Sequence, residues 1–257
     1  MKNSYLCEDM ETMDREWQSR TELLLGTEAL HKLHTSHVLV VGLGGVGGYA
    51  TELLARSGVG QLTIVDNDTV SPTNINRQLI ALHNTVGQHK ASLWANRLRE
   101  INPQIQVTPI QQFIRDEETD KLLERAKYDY VIDAIDTLSP KVHLIKSLVE
   151  KGLPFVSVMG TGSKFDPRAI KIQRMDKAKN CHLARMIRKR LRKLMVPLKF
   201  PVIYSEELPY SDAIVPSSGE QNKKSITGTI AHNPAVAGCY AAYTALDHLI
   251  NEQSHER

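Results

Sequence analysis

Along the first three-fifths of the chain, apolar residues follow two alternating patterns. Short, nearly continuous runs such as VLVV (38–41) and QLTIV (61–65) are separated by longer stretches with apolar positions three and four apart. Strands are therefore expected at about 37–41, 61–66, 105–110, 129–133 and 154–159, with helices at about 45–58, 88–100, 117–126 and 140–151. The helix near 88 has its stop at Ile101-Asn102-Pro103. Apolar strands alternating with helices call for a parallel sheet covered on both faces. After Gly160 the pattern changes. AIKIQRM reads as a strand, HLARMIRKRLRKLM as a helix and FPVIYS as another strand. GTIAHNPAVAGCYAAYTALDHLI reads as a strand, a turn at Asn233-Pro234 and a final helix, whereas residues 206–224 are polar, rich in Pro and Ser, and read as a mobile loop without an assignable role. The expected fold is α/β, a Rossmann-like doubly wound, mostly parallel sheet with helices on both faces and a C-terminal antiparallel extension. No repeat or long linker divides residues 1–257, so one domain is expected, with a core over 20–165 and an extension over 166–257 carrying a helix at about 182–195.

The first strand ends in glycines: VLVVGLGGVGG (38–48) leads directly into a helical stretch. Strand, Gly-rich turn and helix in that order give G-x-G-x-x-G (Gly42, Gly44, Gly47) the meaning of a phosphate-binding turn. Free N–H groups and the positive dipole end at a helix start hold an anion. Asp66 closes the next strand, nineteen residues after Gly47, where a carboxylate accepts hydrogen bonds from a ribose. The competing reading is a glycine turn that only permits close strand–helix packing. The amphipathic segment RTELLLGTEALHKL, within residues 1–36, is expected to pack beside this turn.

Polar residues cluster where an open sheet binds ligands, at the carboxyl ends of its strands. VDNDTVSPTNINRQ places Asp66, Asp68, Asn74, Asn76, Arg77 and Gln78 after the second strand, VGQHK puts Lys90 at a helix start, and Asp136 follows the fourth strand. A nicotinamide site has no use for Arg, Lys and a further Asp around its phosphates. ATP does: cations meet the polyphosphate and a carboxylate holds Mg²⁺. Singly, each has a plainer reading, Arg77 as an ion pair, Lys90 as a helix-start lysine, Asp136 as an N-cap.

Composition adds an uneven charge. The net charge is +3, yet residues 168–199 carry twelve Lys or Arg against one acid, Asp176, so that segment holds +11 and leaves −8 for the remainder. An acidic body with one basic element points to a polyanionic partner. On the 182–195 helix, Leu183, Ile187, Leu191 and Leu194 fall on one face, with Arg185, Arg188, Lys189, Arg192 and Lys193 projecting from the other side. These five are the candidate contacts to the phosphates of such a partner, and the helix has no aromatic residue to stack on bases, so a nucleic acid would be gripped by its backbone. The plainer alternative is a solvated amphipathic face. The acidic, polar N-terminus is not that of a signal peptide, and the apolar segment from Pro234 meets Asp247 and His248 too soon to span a bilayer. A cytoplasmic protein without a membrane partner is expected.

GLGGVGGYATELLARSGVGQLTIVDNDTVSPTNINRQ, followed by VGQHKA, INP and VIDAID, resembles the ubiquitin-activating-enzyme-like superfamily that includes ThiF and MoeB, collinearly over roughly residues 20–165. Its members use ATP and Mg²⁺ to adenylate a carboxylate. The resemblance implies that Gly44, Gly45 and Gly47 contact the nucleotide, Asp66 the ribose, Asn74, Arg77 and Lys90 the phosphates, and Asp136 the magnesium. It implies an N-terminal arginine in the site, for which Arg20 is the candidate, and a homodimer. ThiF- and MoeB-like proteins usually carry paired C-x-x-C zinc motifs; here the three cysteines (Cys7, Cys181, Cys239) are scattered. RTELLLG, LARMIRKRLRK, VIYSEE and GTIAHNPAVAG are instead similar to the tRNA threonylcarbamoyladenosine dehydratase branch, the TcdA or CsdL type. That branch activates the carboxylate of threonylcarbamoyladenosine beside the anticodon and closes it into a ring, so tRNA is the implied partner. Some relatives have a cysteine before YSEE that takes part in sulfur traffic; VIYSEE has none, and Cys181 and Cys239 are expected to be buried or incidental thiols. A sulfur-transfer protein and a monovalent cation stay open as further partner and cofactor. The rival readings are adenylation of a sulfur-carrier C-terminus, an NAD-dependent oxidoreductase, and a non-catalytic tRNA-binding protein.

Overall fold

Val38 and Val40 of β1 (His37–Val41) face one side of a sheet and Leu39 and Val41 the other, all four buried, as the two-residue period of a strand demands. In the computed structural model, which describes residues 16–216 and 225–251, that strand lies near the middle of seven. The others are β2 (Gln61–Val65), β3 (Gln106–Ile110), β4 (Tyr130–Asp133), β5 (Phe155–Val158), β6 (Ile170–Arg174) and β7 (Pro201–Ser205), in the order β3-β2-β1-β4-β5-β7-β6. All neighbours are parallel except β6, which runs antiparallel to β7. The charged edge strand β6 shows only Ile170 to the core.

Helices cover both faces. One core gathers Val38, Val40 and Ile64 with α2 (Thr27–Thr35, through Leu33), α3 (Gly47–Arg56), α4 (Lys90–Ile101) and α8 (His232–Asn251). The other gathers Leu39, Val41 and Val131 with α5 (Glu117–Glu124), α6 (Leu138–Lys151) and α7 (His182–Lys193). Each strand and helix expected before Gly160 is present, within a few residues of its expected bounds.

Four details differ from the sequence reading. Asn233 and Pro234 lie in the first turn of α8 rather than in a turn before it, because proline tolerates that position, where its missing N–H has no helical acceptor. The strand expected at GTI lies just before it, at β9 (Ser225–Thr227), paired antiparallel with β8 (Ile214–Pro216). The stretch 206–216 is accordingly built into the fold; 217–224 fall outside the described residues, as does Cys7. The segment RTELLLGTEALHKL forms α1 (Ser19–Leu25) and α2 and does not sit beside the glycine turn. Leu30 and His34 of α2 pack against Gly58, past the far end of α3, and Lys32 donates to the Ile250 carbonyl (2.9 Å). Ten residues of helix place that contact about 15 Å from the turn.

Candidate active site

Strand order reverses at β1, with β2 on one side and β4 on the other, and a crevice opens beyond the carboxyl ends of β1 and β4. Two glycines shape its floor. Gly42 has φ +92°, and a Cβ there would lie 2.7 Å from the Ala134 carbonyl oxygen, so the turn after β1 touches the loop after β4 only because the side chain is absent. A Cβ on Gly47 would overlap the Gly42 carbonyl oxygen, so the helix start folds tightly back on the turn. Gly44 and Gly45 lie between them, Gly44 beside the Gln78 amide and Gly45 against Arg77 and Pro234. The positive end of α3 opens here.

The Asp66 carboxylate accepts from the Leu43 N–H inside the turn (2.7 Å) and from the Asp68 N–H (2.8 Å). Burial raises its pKa, against the pull of the Lys90 ammonium and these two N–H groups. A carboxylate has about four lone-pair sites, so roughly two remain for ribose hydroxyls. Asp66 thus holds the turn and still has lone pairs to offer.

The phosphate side is equally tied down. Lys90 opens α4 and is buried, its Nζ 3.0 Å from Asp68 Oδ2. Arg77 is half-buried; its Nη1 donates to the Thr73 carbonyl and to Asn76 Oδ1, both at 2.9 Å. Burial lowers the Arg77 pKa and the charge of Asp136 opposes this, which places the two groups in one field. The buried Asn74 accepts the Ser71 N–H on its Oδ1 (3.1 Å), leaving its NH₂ as the part able to meet a phosphate. Asp136 is exposed just past β4 and takes a hydrogen bond from Thr137 Oγ1 at 3.2 Å. One exposed carboxylate across from an arginine fits a magnesium ion, which binds through one or two carboxylates, substrate phosphates and waters. Two further side chains hold buried polar atoms without a partner among the described residues: Gln78, through Oε1, and Asn233, through both polar atoms.

The crevice also rests on a pair not singled out above. Asp133 and Lys141, both fully buried, lie 2.9 Å apart. Ser157 Oγ and the Ile135 N–H donate to the carboxylate, while Lys141 Nζ donates to the carbonyls of Ile135 (2.9 Å) and Asp133 (3.3 Å). Burial lowers the lysine's pKa against the attraction of Asp133. The loop from Asp133 to Asp136 is thereby pinned from below. The signal lay in VIDAID and SPK: an acid closing an apolar strand must be buried, and a buried acid needs a cation.

The basic helix α7 lies against α6 and buries Ala184, Ile187 and Leu191, while Leu194, expected on the same face, caps the helix and is exposed. Arg185, Lys189, Arg192 and Lys193 are exposed and have no carboxylate partner among the described residues. Arg188 differs: it is half-buried and donates to the carbonyls of Ala178 (2.6 Å) and Met175 (3.3 Å), which makes it a brace for the segment before the helix. Arg190, not among the candidates, donates to Ser139 Oγ (2.7 Å) just beyond Asp136, so the basic face abuts the crevice. Elsewhere in the +11 segment four cations are paired: Lys171 and Lys179 with Glu206, Arg174 with Asp176, Arg168 with Asp166.

Arg20 is exposed on α1, which packs on α2, and its side chain makes no hydrogen bond or ion pair among the described residues. The single chain does not join it to the crevice cluster. Cys181 is buried and accepts the Ala184 N–H, as an N-cap; Cys239 is exposed on α8, and burial of its thiol atom raises its pKa, so it rests as the thiol. Among the described residues, no helix is long and apolar enough to cross a membrane.

The comparisons agree with this geometry. The family model described as the ThiF family matches residues 18–257. The chain is 42% identical over 191 residues to the tRNA threonylcarbamoyladenosine dehydratase of Bacillus subtilis, covering 74% of this chain and 75% of that protein. It is 40% identical over 179 residues to the protein of the same name from Escherichia coli, covering 68% and 66%. The crystal structure of the E. coli dehydratase, TcdA, in complex with ATP superposes with a TM-score of 0.86 at 32% identity over 95% of this chain and 97% of that one. With its glycine turn, Asp66 and the Arg77–Lys90–Asp136 cluster assembled at the reversal of a doubly wound sheet, this chain belongs to the ThiF family.

Proposed function

We propose that this chain is an ATP-dependent tRNA threonylcarbamoyladenosine dehydratase. The observation that carries the reading is the juncture of two surfaces: a nucleotide crevice with Arg77, Lys90 and Asp136 at its edge, and a basic helix joined to that edge through Arg190 and Ser139. An NAD-dependent oxidoreductase would leave those three charged residues without work.

In the first step the substrate carboxylate attacks the α-phosphorus of ATP, and pyrophosphate leaves with the β- and γ-phosphates. The turn Gly42–Gly47 and the start of α3 hold the phosphates, Asp66 the ribose, and Arg77 and Lys90 offset the charge that moves onto the leaving oxygens. Asp136 would hold the magnesium, which supplies further charge neutralisation when bound. In the second step the ureido group of the same side chain loses a proton and attacks the acyl carbon, and AMP leaves. The net change is loss of one water from the base at the expense of ATP cleavage. Because the second attack is intramolecular, positioning supplies much of the acceleration.

A homodimer belongs to the same reading. Leu23 and Leu24 of α1 are 87% and 82% exposed beside Arg20, a stripe that a second copy would cover while carrying Arg20 toward a neighbouring site. Sedimentation of wild type against Leu23→Asp checks this.

The test of the activity is AMP release from ATP and Mg²⁺ with and without tRNA bearing threonylcarbamoyladenosine, with mass spectrometry of the nucleoside. AMP dependent on that tRNA, and a base lighter by one water, are expected. AMP formation with a sulfur-carrier protein instead, and no mass change in the tRNA, would move the substrate to a protein C-terminus.

A further inference from the structure

Beside the nucleotide crevice lies a second cavity, of about 490 Å³, lined by Ser163, Phe165, Tyr210, Ala213, Thr229 and Ile230 among others. None of these residues belongs to the glycine turn or to the Asp66, Arg77, Lys90 and Asp136 set. The volume falls within the range of about 300–1,000 Å³ usual for small-molecule sites. Phe165 and Tyr210 are 57% and 58% exposed, unusual for rings of this size.

The backbone carrying these rings is fixed. The Phe165 N–H donates to the Glu207 carboxylate (2.9 Å), and its carbonyl oxygen meets His232 Nε2 (2.7 Å), whose ring also stands edge-on to the Phe165 ring. The Tyr210 N–H donates to the Ser163 carbonyl (2.8 Å), and the Ser163 N–H to that of Gly228 (2.8 Å). Ser163 itself sits at φ +58°, a left-handed conformation costly for serine, which persists only where surrounding contacts impose it. Ser163 is part of the lining, and its hydroxyl is buried with no hydrogen-bond partner among the described residues. Rings carried on fixed backbone and left open describe a preformed site for a flat ligand.

Its position selects the ligand. The Thr229 carbonyl in the lining accepts from Asn76 Nδ2 (3.1 Å), and Asn76 in turn holds Arg77 (2.9 Å), so the cavity adjoins the phosphate-binding residues. On the other side the same loop leads to α7: Gly160 faces Leu183 in the first turn of the basic helix. A base extruded from an RNA loop gripped by α7 would meet this cavity before reaching ATP. RNA loops are read by unstacking single bases onto aromatic side chains.

Resting on the dehydratase reading, we propose that this cavity is the subsite for the modified adenine itself, which stacks on Phe165 and Tyr210. The role left open for the 206–216 stretch is then to supply one wall.

The test compares wild type with Phe165→Ala and Tyr210→Ala, exposed positions whose truncation leaves the core intact. AMP release at saturating ATP is titrated with tRNA bearing threonylcarbamoyladenosine, and binding of ATP alone is measured in parallel. Loss of one stacking partner should raise KM for the tRNA by about 5- to 100-fold and leave ATP affinity unchanged, with Phe165→Trp near wild type. An unchanged KM in both alanine variants overturns the proposal. So does a fall in oligomeric state on sedimentation, which would assign the rings to a contact between copies. The free threonylcarbamoyladenosine nucleoside is also titrated by saturation-transfer NMR. If wild type forms no AMP with the modified tRNA, the dehydratase reading fails, and this titration judges the cavity alone. Nucleoside binding lost in Phe165→Ala supports it, and no binding by wild type overturns it.

Discussion

The crevice at β1 and β4 and the outer face of α7 are both rich in cations, and they hold them in opposite ways. In the crevice Lys90 is buried against Asp68, Lys141 against Asp133, and Arg77 is tied to Thr73 and Asn76. On α7, Arg185, Lys189, Arg192 and Lys193 stand exposed without a carboxylate partner among the described residues. The difference is the one that the proposed ligands require. A triphosphate undergoing displacement must meet groups already in position, so ordering is completed during folding. An RNA backbone is gripped by many weak contacts whose energy comes largely from counterion release, which needs charge rather than fixed geometry.

Five variants would break or sharpen this contrast. The largest effect is expected at the buried pair: Lys141→Met leaves Asp133 as an uncompensated buried charge and should cost about 3–5 kcal/mol in denaturant unfolding, most of it recovered when Asp133→Val is added. A Lys141→Met variant as stable as wild type would show that the loop before Asp136 does not depend on the pair. Next is Asp136→Ala, for which AMP formation should fall by about 100-fold or more while tRNA binding holds. Undiminished turnover would remove Asp136 from the reaction.

On the basic helix, Arg185→Ala, Lys189→Ala and Arg192→Ala combined should flatten the log–log salt dependence of tRNA binding by about 2 to 3 with little change in melting temperature. Arg188→Ala should do the reverse, lowering thermal stability by freeing two carbonyls and barely altering the salt slope. A salt slope unmoved by the triple change would return the helix to the solvated-face reading. The smallest effect is expected at Glu206. Hydrogen bonds from Lys171, then from Tyr204, bring its pKa from 4.5 down to about 2, and burial with Glu206 beside it pushes Tyr204 up to about 12. Through Glu206 the folded state then binds fewer protons than the unfolded one between about pH 2 and 4.5. Stability contributed by Glu206 is therefore complete above about pH 4.5 and is lost as the pH falls toward 2. Glu206→Gln should flatten that part of the acid-unfolding curve; an unchanged slope would mean the ion pairs are already screened by solvent.

The residues that reach the nucleotide crevice were legible because they are written locally. A glycine turn follows an apolar strand, an acid closes the next strand, and Arg77 and Lys90 follow within one connection. Parallel winding then carries the ends of successive strands to one edge, so residues distant in sequence meet without any further information. The pair Asp133–Lys141 was less visible, since only burial reveals that each requires the other.

In the C-terminal extension the same reasoning reached less far. The elements there pair across long separations: β7 joins β5, β6 turns back along β7, and β8 meets β9 across residues 217–224. Such pairing leaves little trace in local periodicity. Helical spacing identified α7 and its charge, but could not show that Arg188 turns inward to two carbonyls while its neighbours stay in water.

The sequence by itself determined the alternation of strand and helix, the phosphate turn, the set of charged residues at its rim and the basic face, because each depends on spacing within a few residues. Tertiary structure alone decided which of those charges are buried and paired, that α2 packs at the far end of α3, and that Phe165, Tyr210 and Ser163 enclose a cavity beside the crevice. Those outcomes rest on contacts between segments tens of residues apart, where desolvation and packing, not local propensity, set the free energy.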